Sequence, residues 1–162
     1  MICDLDPILP TEARQVMDGL VSLAQRHGPP ACFKGWPASI VEAYLLFHAG
    51  KGQLIWVRQR GRVAAVAVGW PALEADLRRP EFLDRPFNWD PPVSQPNAFY
   101  LGECVVDRGL DRVTRRVAIA SLIADWRLRF PEWRTWKCFA IRRGRLVQFN
   151  PLKFFRRLAL ED

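Results

Sequence analysis

Apolar side chains at Val16, Leu20, Leu23 and Ala24 recur at helical spacing between Pro10-Thr11 and Gly28-Pro29-Pro30, and predict a first helix over about 11–27. Beyond Trp36-Pro37, the apolar positions Ile40, Val41, Tyr44, Leu45 and Phe47 mark a second helix that stops near Gly50. The pattern then changes. Gln53 to Gln59 and Arg62 to Trp70 are β-rich runs flanking Arg60-Gly61, the signature of an antiparallel hairpin closed by a glycine turn. Ala98 to Asp107 predicts a central strand, and a strongly periodic helix follows from about Arg112 to Phe130. Trp136 to Ile141 returns as a strand, Arg142 to Arg145 turns, and Leu146 to Phe149 continues the pairing. Pro151, at a helix first turn, opens a last helix through Leu160. The order α-α-β-β-β-α-β-α predicts an α/β fold with a mixed, mostly antiparallel sheet flanked by helices.

Residues 71–97 interrupt this order. They hold Pro71, Pro80, Pro86, Pro91, Pro92 and Pro96 together with Phe87 and Trp89, and predict a Pro-rich loop over one face, with a short helix near Ala72–Leu77. The whole chain, 162 residues, has the length of one domain, so 1–162 is expected to fold around one core. A composition 49% hydrophobic and 12% aromatic, with seven Trp and ten Phe, excludes a disordered polar chain.

Charge alters the picture more. The chain carries +7 overall, yet residues 108–162 alone hold 14 Lys and Arg against 5 Asp and Glu. Arginine dominates, lysine occurring only at 34, 51, 137 and 153. Guanidinium forks suit phosphate and carboxylate, so an anionic partner is the natural expectation, set against plain solubilising charge. Arg108, Arg112, Arg115 and Arg116 crowd one predicted helix N-terminus. Arg142, Arg143, Arg145, Lys153, Arg156 and Arg157 alternate with Phe149, Phe154 and Phe155, a pattern open to nucleic acid, although Phe154, Phe155 and Leu158 also have core-facing helical spacing. No helix-turn-helix, zinc-finger or RNP signature accompanies them.

Cys3, Cys32, Cys104 and Cys138 form no CxxC pair, so no metal site is predicted. With Asp4 and Asp6 breaking any leader pattern and no apolar run of membrane-spanning length, a cytoplasmic protein with free thiols is expected. Among chemistry-bearing residues, Glu103 stands out as a lone carboxylate within Leu101–Val106, where desolvation raises a carboxyl pKa toward that of a general base; a solvent-facing or arginine-paired carboxylate is the plainer alternative. Cys104 beside it suits a buried hydrophobe better than a nucleophile. His27 and His48, near helix ends, suit capping or surface positions. No G-x-S-x-G elbow is present.

FKGWP at Phe33–Pro37, GQLIWVRQRGRVAAVAVGWPALEAD at Gly52–Asp76, FYLGECVV at Phe99–Val106, and RFPEW with KCFAIRRGRLVQF over Arg129–Phe149 resemble the toxin-activating lysine acyltransferases, the hemolysin-activator branch of the GNAT fold. These stretches cover roughly three quarters of the chain in matching order. The resemblance implies transfer of an acyl group from acyl carrier protein to an amine, typically a protein lysine, with no tightly bound cofactor. It also implies a histidine before the Trp-Pro pair working with an aspartate on the central strand. The histidine position here holds Phe33, with His27 six residues earlier, and the aspartate position falls at Gly102 or, one residue on, at Glu103. Glu103 and His27 are therefore the catalytic candidates. Arg108, Arg112, Arg115 and Arg116 form the candidate donor-binding patch, and Trp56, Trp70 and Trp89 the candidate acyl pocket. Enzymes of this fold that use acetyl-CoA cradle its pyrophosphate on glycines. Those positions hold Asp111 and Val113, or Arg115 and Val117, so the donor implied is acyl carrier protein ahead of acyl-CoA. The alternative is an inactive module of the same fold, binding an acidic protein or nucleic acid through its basic surface.

Overall fold

The computed structural model describes residues 11–29, 33–84 and 95–160. Helix α1 (Thr11–His27) buries Met17, Leu20, Leu23 and Ala24 on one stripe. A short 3-10 turn at Phe33–Gly35 leads into α2 (Ala38–Gly50). Strands β1 (Leu54–Gln59) and β2 (Arg62–Ala72) form the expected hairpin around Arg60 and Gly61, both at positive φ, the left-handed pair that matches strand twist. Helices α3 (Glu74–Leu77) and α4 (Pro80–Asp84) follow, then β3 (Ala98–Val106), α5 (Arg112–Arg129), β4 (Lys137–Arg142), β5 (Arg145–Phe149) and α6 (Pro151–Leu160).

The five strands make one mixed sheet in the order β1-β2-β3-β4-β5, antiparallel throughout except for the parallel pair β3/β4. Alternation along the strands sends Val66, Val68, Trp70, Tyr100 and Phe139 to the α1–α2 face. Ala65, Ala67, Phe99, Leu101 and Cys138 go to the opposite face, under α5 and α6. Phe155 and Ala159 are buried there, so α6 turns its aromatic stripe to the core. No helix among the described residues is long and apolar enough to cross a membrane.

The excursion at 71–97 is more ordered at its borders than its prolines suggest. Strand β2 runs through Pro71 to Ala72, paired with Phe99 and Ala98. Proline is tolerated because β1 pairs only as far as Val68, leaving β2 an open edge from there on. Asn97 ties the two ends together, donating its amide N–H to Ala72 O (3.1 Å) and accepting from Glu74 N on its side chain (2.8 Å). Phe87 and Trp89 lie outside the described residues.

Candidate functional site

Two irregularities of β3 build the site. Val68 pairs with Glu103 but Gly69 pairs with Leu101, so Gly102 is an extra residue, a bulge. Cys104 and Val106 then face α5 while Val105 faces α1–α2, and this alternation puts Glu103 on the α1–α2 face along with Gly102. A one-residue slip flips a side chain in a regular strand; across this bulge it does not. The second irregularity is the ladder to β4. Only Ala98, Phe99 and Tyr100 pair with Lys137, Cys138 and Phe139, after which the parallel strands diverge. Between them opens a cleft of about 270 Å³, lined by Gly102, Glu103 and Cys104 on one side, Arg142, Phe149 and Phe154 on the other, and by Pro29. The Arg142 guanidinium lies 5.4 Å from the centroid of the Phe154 ring. The Cys104 thiol is pushed far up by burial and by the neighbouring Glu103, which keeps it protonated and poorly nucleophilic.

Asp107, one residue beyond β3, was not singled out by the sequence, and it organises the cleft's neighbourhood. Its side chain is 1% exposed. Oδ1 accepts from Gly109 N (2.9 Å) and lies 3.1 Å from His27 Nε2, while Oδ2 accepts from Arg62 (3.0 Å). The Asp-x-Gly spacing was the available signal, since an aspartate folding back on the amide two residues later marks such turns. His27 is accordingly neither a cap nor a surface group. Burial lowers its pKa, Asp107 partly offsetting the shift, so the imidazole is neutral at pH 7. Two residues on, Pro29 reaches the cleft.

Several candidates are placed differently from expectation. Glu103 and Asp107 are four residues apart, about 13 Å along a strand, so Glu103 and His27 do not form a contact pair. Phe33 is fully buried, edge-on to Trp36 and Tyr44, and serves as core. Arg115 is only 4% exposed and donates to Leu110 O (3.4 Å), whereas Arg108, Arg112 and Arg116 remain exposed; three arginines, not four, face outward at the start of α5. Asp111 caps that helix by accepting from Thr114 N (2.9 Å). Trp70 is core, stacked on His48, and Trp56, half-buried on the edge strand β1, packs against the same apolar cluster on the α1–α2 face. Trp89 lies outside the described residues.

His48 also departs from its expected surface role. It is fully buried, with Nδ1 2.7 Å from Gln53 Oε1. Desolvation lowers its pKa, reinforced by Lys51 and opposed by the Gln53 hydrogen bond. A histidine neutral in the fold but protonated in the unfolded chain contributes stability above about pH 6.5 that is lost as pH falls through the lower folded value. The urea midpoint is therefore expected to hold from pH 8 to 6.5 and decline toward pH 5. His48→Phe should make that decline shallower, and an unchanged slope would assign it to other groups.

The fold and site define an α/β protein with a mixed sheet split at its one parallel pair. No protein-family model and no curated protein matches the chain.

Proposed function

We propose that this chain is a GNAT-like acyltransferase, akin to the toxin-activating lysine acyltransferases, moving an acyl group from acyl carrier protein, or less favourably acyl-CoA, to an amine such as a protein lysine. The observation that carries the reading is the divergence of β3 from β4 beyond Tyr100 and Phe139. From Leu101 onward the β3 backbone has no ladder partner on that side. An extended thioester arm laid in the cleft would run along the β3 backbone edge, whose N–H groups are placed to serve the oxyanion that forms when an amine attacks the thioester carbonyl.

In the forward step the C–N bond forms, the C–S bond breaks, and the thiol leaves as the amine loses its proton. Glu103, in the cleft wall, is the first candidate to take that proton, and His27, held by buried Asp107 two residues before the cleft-lining Pro29, is the second. The basic residues support a protein donor. The cleft opens toward the C-terminal ends of β3 and β4, and there Arg108, Arg112 and Arg116 on one side and Arg142, Arg143 and Arg145 on the other are exposed. An acidic carrier would be steered to that opening. The burial of Phe33 in the core favours the second reading, an inactive module that keeps the basic surface for binding.

Incubation with radiolabelled acyl carrier protein thioester and a panel of primary amines separates the two. Thioester consumption by the wild type is expected, with Glu103→Gln reducing kcat/KM by about 10²- to 10⁴-fold and His27→Gln by a smaller factor. Binding of carrier protein without turnover, identical in wild type and both variants, would favour the inactive module. Neither binding nor turnover would sink both.

A further inference from the structure

Separate from the β3–β4 cleft, a groove of about 290 Å³ lies between α1 and the end of the β1–β2 hairpin. Its walls bring together Arg26 from α1, Arg58 from β1 and Arg62 from β2, with Gln15, Ser22 and Gly19 between them. Each guanidinium is lightly engaged. Arg26 donates to Ser22 O (3.4 Å), Arg58, which also lies over the Trp56 ring, to Glu12 (3.1 Å) and Arg62 to Asp107 (3.0 Å), which leaves most of the five N–H donors of each without an acceptor among the described residues. The facing carboxylates do not balance them: Glu12 is at the rim, 78% exposed, and Asp107 is buried behind the wall and shared with His27.

We propose that this groove binds a phosphate-bearing small molecule, its phosphate held between the guanidinium groups of Arg26, Arg58 and Arg62. Three guanidinium groups lining one groove match the oxygens and concentrated charge of a phosphate better than a single carboxylate. Gly61 in the wall, with open space beside its Cα, leaves room for close approach, and the volume admits a phosphate with a compact organic body. A bounded groove between a helix and a hairpin end, without a row of stacking aromatics, does not suit a nucleic-acid strand.

Occupancy is wired to His27. Arg62 and His27 share the carboxylate of Asp107, and the charged groups around His27 are Asp107, Arg26 and Arg108. A phosphate that neutralises Arg26 and draws Arg62 off Asp107 favours the imidazolium, so His27 holds its proton more tightly in the occupied protein.

Inorganic pyrophosphate, titrated calorimetrically into the full chain at fixed ionic strength, is the probe. Saturable one-site binding is expected, weakened at least tenfold by Arg26→Gln with Arg58→Gln and unchanged by Arg142→Gln with Arg143→Gln. In parallel, the His27 ring signal should titrate at higher pH with pyrophosphate present, while His48, the only other histidine, stays as an internal reference. Arg58→Glu alone, at an exposed side chain, replaces the double variant should that fail to fold. Unsaturable binding, equal loss in the Arg142 and Arg143 variant, a stationary His27 midpoint, or preference for an oligonucleotide over pyrophosphate would overturn the assignment.

Discussion

Asp107→Ala should lower folding stability by about 3 kcal/mol, as read from urea unfolding, because it removes the one acceptor that three groups share. The Gly109 amide loses its partner, His27 its neighbouring carboxylate, and Arg62 its ion pair. Breaking a buried pair from one side typically costs ~3–5 kcal/mol. The lower end applies here, since the Arg62 side chain is 63% exposed and turns to water when released. Asp107→Asn keeps an oxygen for Gly109 and should cost about 1 kcal/mol, yet it strips the charge beside His27. The asparagine variant is therefore expected to remain folded and, under the acyl-transfer reading, to lose turnover only in the measure that His27→Gln does. A loss below about 0.5 kcal/mol for the alanine variant would mean that the buried carboxylate is not the organiser described above.

Gly69→Ala is the second large effect. Gly69 stands opposite the β3 bulge, where an added methyl would lie 2.7 Å from Trp126 Cζ2, 2.8 Å from Phe99 Cε1 and 2.8 Å from Tyr100 O. None of these gives way easily. Tyr100 O is backbone, and Trp126 is packed edge-on against Phe99 and Phe155. Overpacking of a tight core typically costs ~1–3 kcal/mol, and three contacts under van der Waals distance place this substitution at about 3. Gly102→Ala, in the same bulge, meets nothing closer than Tyr44 Oη at 3.3 Å and should cost well under 1 kcal/mol. Paired thermal melts test the contrast, which fails if the two alanines are equally harmful.

Most of the fold was legible because its signals are local. Periodicity placed α1 and α5 to within a residue, and Arg-Gly at 60–61 and 143–144 gave both hairpin turns, each with φ positive at both positions. Two readings went astray where local signals run out. His48 and Arg115 are polar residues inside apolar surroundings, and sequence alone does not show that Gln53 or the α5 start encloses them. Trp56 and Trp70 read as one pocket and do share the α1–α2 face, where Trp70 is fully buried in the core against His48. The candidate site was legible in part. Glu103 and His27 stand out by their chemistry, whereas the Asp-x-Gly spacing signals only the turn at Asp107, and its contact with His27 arises from long-range packing of α1 across the end of β3.

Strands β3 and β4 are joined through α5 rather than by a turn, so no covalent tether spans the mouth of the cleft. A hairpin holds its two ends at a fixed separation; a parallel crossover does not. The width of the opening is thus set by packing, chiefly the seat of Phe155 on Trp126 between α6 and α5. Phe155 also packs on Phe154 in the cleft wall, so substitutions at that aromatic joint become a means of adjusting the aperture from behind its lining.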